Sequence, residues 1–260
     1  MIEKLVNLPT PLQILIDPAS LTVIAIFLVL MLAEELFPGR PLPFIRFWKI
    51  KGISAFIIYF FVSSYLPLLW NEYLGAYQLL GMSKLGDYWG ALVALMTYEL
   101  GVYFWHKAMH KSNTLWKVFH QMHHSAERVD SYGAFFFSPM DMIGFTFLTS
   151  LTMVWVFGFT AQATIYAIYA ATFLAVIQHA NVKTPQWMGY IFQRPESHSL
   201  HHAKDIHAFN YSDLPLFDII FGTFRNPKEF SLNTGFYDGA SDRIRDMILF
   251  RDINIKKSNV

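Results

Sequence analysis

The stretch "MIGFTFLTSLTMVWVFGFTAQATIYAIYAATFLAVIQ", residues 142–178, runs for 37 positions without one Asp, Glu, Lys, Arg or His. As a single helix it would be about 55 Å long at 1.5 Å per residue, far more than the roughly 30 Å of hydrocarbon in a bilayer. Two crossings fit better, with a break near Gly158-Phe159-Thr160-Ala161-Gln162 that divides the run into segments of spanning length. Three earlier apolar runs, 21–37, 52–70 and 88–105, also approach the ~20 residues that a membrane helix needs. Composition agrees, because 54% hydrophobic, 17% aromatic and 15% charged residues give too much apolar mass for an ordinary soluble domain. The sequence therefore predicts an all-α, multi-span integral membrane protein, with spans near 21–37, 52–70, 88–105, 142–159 and 161–178. It reads as one domain over residues 1–260, without a long internal repeat or a disordered linker.

Charge sets the orientation. With five spans, the segments on one side are 38–51, 106–141 and 179–260, which carry 4, 4 and 10 of the chain's 20 Lys and Arg residues; only Lys4 and Lys84 fall on the other side. The positive-inside rule then places these segments in the cytoplasm and the N-terminus on the opposite side, the stretch "GRPLPFIRFWKIK" alone bearing four cations and no acid. Neither a basic n-region nor a small-residue cleavage site marks a cleavable signal peptide. Net charge of +1 carries no nucleic-acid signature, and no nucleic-acid partner is expected. The chain has no cysteine, so disulfides, thiolate metal sites and Cys-held iron–sulfur clusters are excluded, and any metal must be held by N or O ligands.

The ten histidines fall on that same side. "HKAMH" places His106 and His110 at i and i+4, so both project from one helix face. "HQMHH" sets His120 against His123 and His124, and "HSLHH" repeats the spacing with His198, His201 and His202. His179 stands alone in "QHAN", and His207 has no cluster partner. A lone histidine is commonly a hydrogen-bonded structural residue, and one HxxxH arises by chance; eight at helical spacing are different, since unpartnered imidazoles are costly to bury. Metal ligation explains them, with His179 as a further ligand and His207 as a possible additional one. One ion takes four to six ligands, so eight to ten imidazoles suit two ions. Imidazole accepts Zn, Fe, Cu and Ni alike; two closely held redox metals in a membrane suggest dioxygen activation, and hence iron.

"YFWHKAMH", "HQMHHS", "QHAN" and "HSLHH" followed by "FNYSDLPLFDIIFGTF" resemble the histidine boxes and closing signature of the fatty acid hydroxylase/sterol desaturase superfamily of integral-membrane di-iron oxygenases. The resemblance runs from about residue 99 to 224. It implies a helical transmembrane stalk, a cytosolic His-rich catalytic cap, two iron ions and O2 as co-substrate. It carries ligand roles onto His106, His110, His120, His123, His124, His179, His198, His201 and His202. Lys107 departs from the arginine that many relatives have after the first box histidine, replacing a planar bidentate donor by a point charge.

Metal-bound imidazole usually passes its other N–H to a carboxylate, carbonyl or water, and Asp141, Asn181, Asn210, Tyr211 and Asp218 are candidate supports, each equally able to cap a helix. Glu99 lies two helical turns before His106 inside a predicted span, where an ionisable group is expensive. About 10 Å of axial offset separates it from the metal of His106, so hydrogen bonding within the bundle is expected instead. "YGAFFFSP", residues 132–139, offers aromatics for a lipid-tail channel, although boundary aromatics also occur without a substrate role.

The expected function is O2-dependent hydroxylation or desaturation of a lipid C–H bond, with an acyl lipid ranked ahead of sterol C-5 or C-4 oxidation and of ether-lipid cleavage. No heme-binding, Rossmann or cysteine motif supplies electrons, so a separate reductase, ferredoxin or b-type cytochrome is expected as partner. The basic residues Arg243, Arg245, Arg251, Lys256 and Lys257 could receive that donor or contact anionic headgroups. A His-rich metal transporter or sensor is the alternative of a different class; it would need ionisable groups along a path at the midplane, which the last two spans do not offer.

Overall fold

The computed structural model describes residues 8–254, so Lys4, Lys256 and Lys257 lie outside the described residues. These residues are mostly helical, and no strand forms among them; an isolated bridge pairs Ala203 with Thr234. Five long helices build a bundle: α1 (Pro18–Leu36), α2 (Trp48–Ala76), α3 (Gly86–Lys111), α4 (Pro139–Val156) and α5 (Ala161–His179). Three of the five starts are written locally, whereas α2 and α3 begin without a side-chain cap. Asp17 and Ser138 cap α1 and α4 by accepting from Ala19 N–H and Asp141 N–H, with Pro18 and Pro139 at the first helical position, and Thr160 caps α5 by accepting from Ala163 N–H.

The charge-free run is divided between α4 and α5. The chain turns at Gly158, whose φ of +59° is open to glycine at little cost; a Cβ there would also sit 2.0 Å from the side-chain oxygen of Gln78. The last turns of α4, Ser150–Val156, widen to π-helical geometry. α1, α2, α4 and α5 are long and apolar enough to cross a membrane, and the protein is an integral membrane protein. The run at 88–105 is helical as well, inside α3, but this helix falls outside that set: its Tyr, Trp and Gly residues and Glu99 dilute its apolar character. α3 still belongs to the bundle, packing most extensively along α5, where the Cβ of Ala163 approaches Gly90.

The near ends of all five helices meet at one place. Glu34 of α1 accepts from the backbone N–H and hydroxyl of Ser131 and from Asn181 N–H, and the Trp48 indole of α2 donates to Asp130 at 2.9 Å. At that same end α3 carries His106 and His110, α4 carries Asp141, and α5 ends on His179. Around this end, residues 112–138 and 180–254 form a cap whose short helices include Gln121–His124, α6 (Pro195–His201) and α7 (Pro215–Ile220). The entry to α6 is fixed by Arg194, buried and paired with Glu196 at 3.0 Å, which also donates to Thr184 and Asn226.

Candidate metal centre

Nine histidines converge in two adjoining groups. His106, His110, His120, His124 and His201 form one, and His123, His179, His198 and His202 the other; within each, the nearest ring nitrogens all lie within 4.8 Å of one another. The two HxxHH copies divide between the groups in opposite senses. His120 and His124 go to the group of five and His123 to the group of four, whereas His198 and His202 go to the four and His201 to the five. Helix geometry accounts for the split: positions i and i+4 lie about 40° apart around the axis, while i+3 is turned about 60° the other way. The two helices that carry these copies, first Gln121–His124 and then α6, therefore each straddle both groups. The first is reached through a π-helical turn, Trp116–His120, of the kind found often at functional sites.

The hydrogen bonds fix which nitrogens face inward. His106 Nδ1 donates to the Tyr211 carbonyl at 2.7 Å, His120 Nδ1 to Asp141 Oδ2 at 2.8 Å, His201 Nδ1 to the Phe209 carbonyl at 2.7 Å, and His179 Nδ1 to the Ala175 carbonyl at 2.7 Å. A neutral imidazole carries one N–H, so in these four rings Nε2 is a bare lone pair. Yet His106 Nε2 and His120 Nε2 stand 2.9 Å apart, two acceptors facing each other. That contact makes sense with a cation between them. The other inward contacts are alike: 3.1 Å for His124–His201, 3.0 Å for His123–His179, 2.9 Å for His179–His198 and 3.1 Å for His198–His202. Two ligands at ~2.1 Å from one ion and at right angles to each other would be ~3.0 Å apart. The donor sets thus fit two metal ions.

Burial favours the neutral, ligating form. Desolvation pushes the His198, His201 and His202 imidazoles well below their ordinary value, and the neighbouring histidines push the same way. His207 is lowered to about 4 by burial. It lies outside both groups, its Nδ1 3.1 Å from His124 Nδ1, on the side of that ring turned away from His201.

The other sequence-predicted residues separate into those that touch a ring and those that hold what touches it. Asp141 meets His120 directly. Tyr211 meets His106 through its carbonyl, and that carbonyl is set by two carboxylates: Asp218 accepts from Tyr211 N–H and Ser212 N–H, and Glu99 accepts from Ser212 Oγ, Asp213 N–H and Leu214 N–H. Glu99 thus ties α3 to the cap segment 212–214 and not, as expected from the sequence, to another helix of the bundle. Asn210, with φ of +49°, donates to the Ser197 and Arg225 carbonyls and accepts from Arg225 N–H. It thereby holds the preceding Phe209, itself at φ +69°, with its carbonyl on His201; a left-handed Phe is costly and needs this support. Asn181 does something else, joining the end of α5 to Glu34 and to the Arg40 carbonyl.

Sequence reasoning passed over the Phe209 and Ala175 carbonyls, because any residue type supplies one. It also passed over Asp213, whose carboxyl accepts from Gln178 at 2.6 Å and is pushed up from its ordinary range by burial. Two of the three described arginines of the basic segment, Arg243 and Arg251, are paired with Asp246.

A cavity of about 350 Å³ leads from the centre into the bundle. His106, His120, His123, His179 and His198, each at most 6% exposed, wall one end, and Ser20, Asn71 and Thr164 line the other. From His179 to Thr164 along α5 is about 22 Å. Of the aromatic stretch, Phe135 and Phe137 line this cavity, whereas Phe136 turns away onto Trp48.

Residues 91–223 match the family model described as fatty acid hydroxylase, which is more than half of the chain. The chain belongs to the fatty acid hydroxylase family. It is similar to the ornithine lipid hydroxylase OlsE of Rhizobium tropici, 28% identical over 142 residues, which is 52% of this chain and 42% of that protein. It is also similar to sphinganine C4-monooxygenase 1 of Arabidopsis thaliana, 25% identical over 138 residues, 52% of each. The matched region thus spans about half the length of these curated relatives. No solved structure matches the chain.

Proposed function

We propose that this protein is a membrane-bound di-iron oxygenase that hydroxylates an unactivated C–H bond of an acyl lipid. The observation that carries the reading is the position of two adjoining histidine groups at one walled end of a deep apolar cavity inside a membrane bundle. The nine imidazoles would hold two irons, five on one and four on the other, and His207 would steady His124 from behind. Two such ions supply reductive activation of O2. The overall reaction consumes one O2, two electrons and two protons for each C–H converted to C–OH, with water as the second product; loss of a second hydrogen in place of oxygen insertion would give an alkene.

The chain's own share is positioning and exclusion of water. The cavity aligns an extended chain against His123, His179 and His198, and the cap closes over the imidazoles so that the reacting carbon meets no bulk water. Asp141 and the Tyr211, Phe209 and Ala175 carbonyls fix the tautomers of four rings, keeping Nε2 free for metal. Both curated relatives are named for hydroxylation or monooxygenation of a lipid, which favours hydroxylation over desaturation here. Two electrons come from a separate reductase, ferredoxin or b-type cytochrome. With α3 as a fifth crossing, the cap and its cations face the cytoplasm.

The test is comparative lipidomics of cells with and without the protein, reading for lipids heavier by 16 mass units or lighter by 2. His124→Ala and His202→Ala, one from each group, should each abolish the product. A product that persists in either variant would sink the proposal.

A further inference from the structure

The segment that follows the third histidine cluster is placed low in the molecule. Phe217 of α7 forms a cluster with Tyr103 and Tyr211, against which Met96 and Leu100 of α3 pack. Met96 lies ten residues before His106, about 15 Å deeper along the helix axis, and Glu99, which binds the preceding turn, about 10 Å deeper. So α7 and its turn sit beside α3 below the level of the metal centre, on the bilayer side of it.

That turn is finished in the way a lipid environment demands. Irregular backbone is tolerated at membrane depth where its polar groups are satisfied within the protein. Here four consecutive N–H groups, from Tyr211 to Leu214, are all accepted by two buried carboxylates, Asp218 and Glu99, and the next residue is Pro215, which has none. The carbonyls are met as well: Tyr211 by His106, Ser212 and Asp213 by the side chain and N–H of Gln193.

The outer face of this segment is apolar and open. Leu216, Ile219, Ile220 and Phe221 are 42–61% exposed, and the neighbouring turn adds Trp187 and Ile191. The Phe221 ring lies 5.3 Å from that of Phe104, itself 53% exposed on the outer side of α3. The sole acid between 214 and 225, Asp218, is fully buried, while Arg225 and Lys107 stand at the edge. Such a face, continuous with the side of a bundle helix and rimmed by cations, matches a surface lying 5–10 Å into the headgroup and acyl boundary, with its cations at anionic headgroups.

We infer that residues 211–221, with the turn at 187–191, are immersed in the membrane interface as a wedge beside α3, so that the cap is sunk into the leaflet and not merely perched on it. The occupant of this face is the lipid bilayer. A consequence is that the bilayer surface reaches the level of the metal centre, and a lipid need not leave the membrane to approach it. This inference rests on the chain being an integral membrane protein with α3 as one of its crossings, as proposed above, and is independent of its catalytic activity.

The chain has no cysteine, so single-Cys variants can be labelled cleanly in the full-length protein. Nitroxides at Ile220→Cys and Leu216→Cys would be compared in nanodiscs containing anionic lipid with two references, Phe104→Cys on the flank of α3 and Leu232→Cys on a cap loop at 97% exposure. Power saturation by O2 and by a water-soluble nickel chelate reads depth. Labels at 216 and 220 should follow that at 104, relaxed by O2 and shielded from nickel. Nickel accessibility like that at 232 would overturn the inference. So would shielding from both reagents, the result for a face covered by a second copy or a protein partner. If one variant fails to fold, the other, or Ile219→Cys, gives the same reading.

Discussion

Asp141 offers the sharpest test of the two-group centre, because it touches only one of them. Its Oδ2 accepts from His120 Nδ1 at 2.8 Å, and its Oδ1, equally buried, has no partner. Asp141→Asn keeps an acceptor for His120 but loses the charge and turns an amide toward a place with no acceptor; Asp141→Ala leaves His120 Nδ1–H bare. Loss of such an outer partner typically weakens metal binding about 10- to 100-fold, roughly 1.4 to 2.7 kcal/mol. The Asn variant should fall at the lower end and the Ala variant at the upper.

The group of four has no contact with Asp141, so its ion should be unaffected. Metal per chain, measured by mass spectrometry after dialysis against graded chelator, should show two release steps in the unaltered protein. In the variants one step moves to 10- to 100-fold lower free chelator, and the other stays. If both steps shift together, or neither does, the separation into five and four is wrong.

Further predictions address other parts of the molecule. Gly52→Ala would place a Cβ 2.2 Å from the Tyr132 carbonyl; the clash between α2 and the 131–133 turn should cost at least 1–3 kcal/mol, about the usual penalty for overpacking, and lower the melting temperature in detergent. Glu99→Ala strips the acceptor from the Asp213 and Leu214 N–H groups and leaves Ser212 Oγ only the residue-99 carbonyl, at about 1–3 kcal/mol for each group left buried and unpaired, and should also loosen metal held by His106; Glu99→Gln, which keeps an acceptor, should recover part of both. Stripped of metal, the protein should lose stability as pH falls: burial holds His207 at about 4 in the fold against an ordinary 6.5, and His198, His201 and His202 are lowered likewise, so the unfolded chain takes up protons first. Stability is then complete above about pH 6.5 and drains toward pH 4, and a flat melting temperature across that range would contradict the burial. Ala171→Phe, which narrows the cavity at mid-length, should shift the product distribution toward shorter chains.

What the sequence revealed and what it hid follow from the range of the interactions involved. Helix content, the break at Gly158 and the nine histidines are legible because hydropathy and i, i+4 spacing are local properties. The weak apolar character of α3 was visible in principle in its Tyr, Trp and Gly content. Outer partners are legible only where a side chain makes the contact: Asp141 could be named, whereas the carbonyls of Phe209 and Ala175 have no letter in the sequence. Asn181 was misplaced beside the metals for a related reason. It follows His179 by two residues, but the chain has by then left the helix, and its side chain serves the Arg40 loop, 141 positions away in sequence.

The opposite division of the two HxxHH copies also lies beyond a local reading, and it constrains how the centre assembles. A helix bearing HxxHH cannot aim all three rings at one ion, since the i+3 ring is turned about 100° from the i+4 ring. Used once, the motif supplies two rings to one group and one to the other. Used twice with the senses exchanged, it supplies three to each. His106 and His110 then complete the group of five, and His179 the group of four. Neither short helix closes a site without the other, and the charge-free hairpin of α4 and α5 that separates them in sequence also brings them together. A substitution that displaced α6 from the Gln121–His124 turn should therefore release both ions together, unlike the loss of Asp141, which should release one.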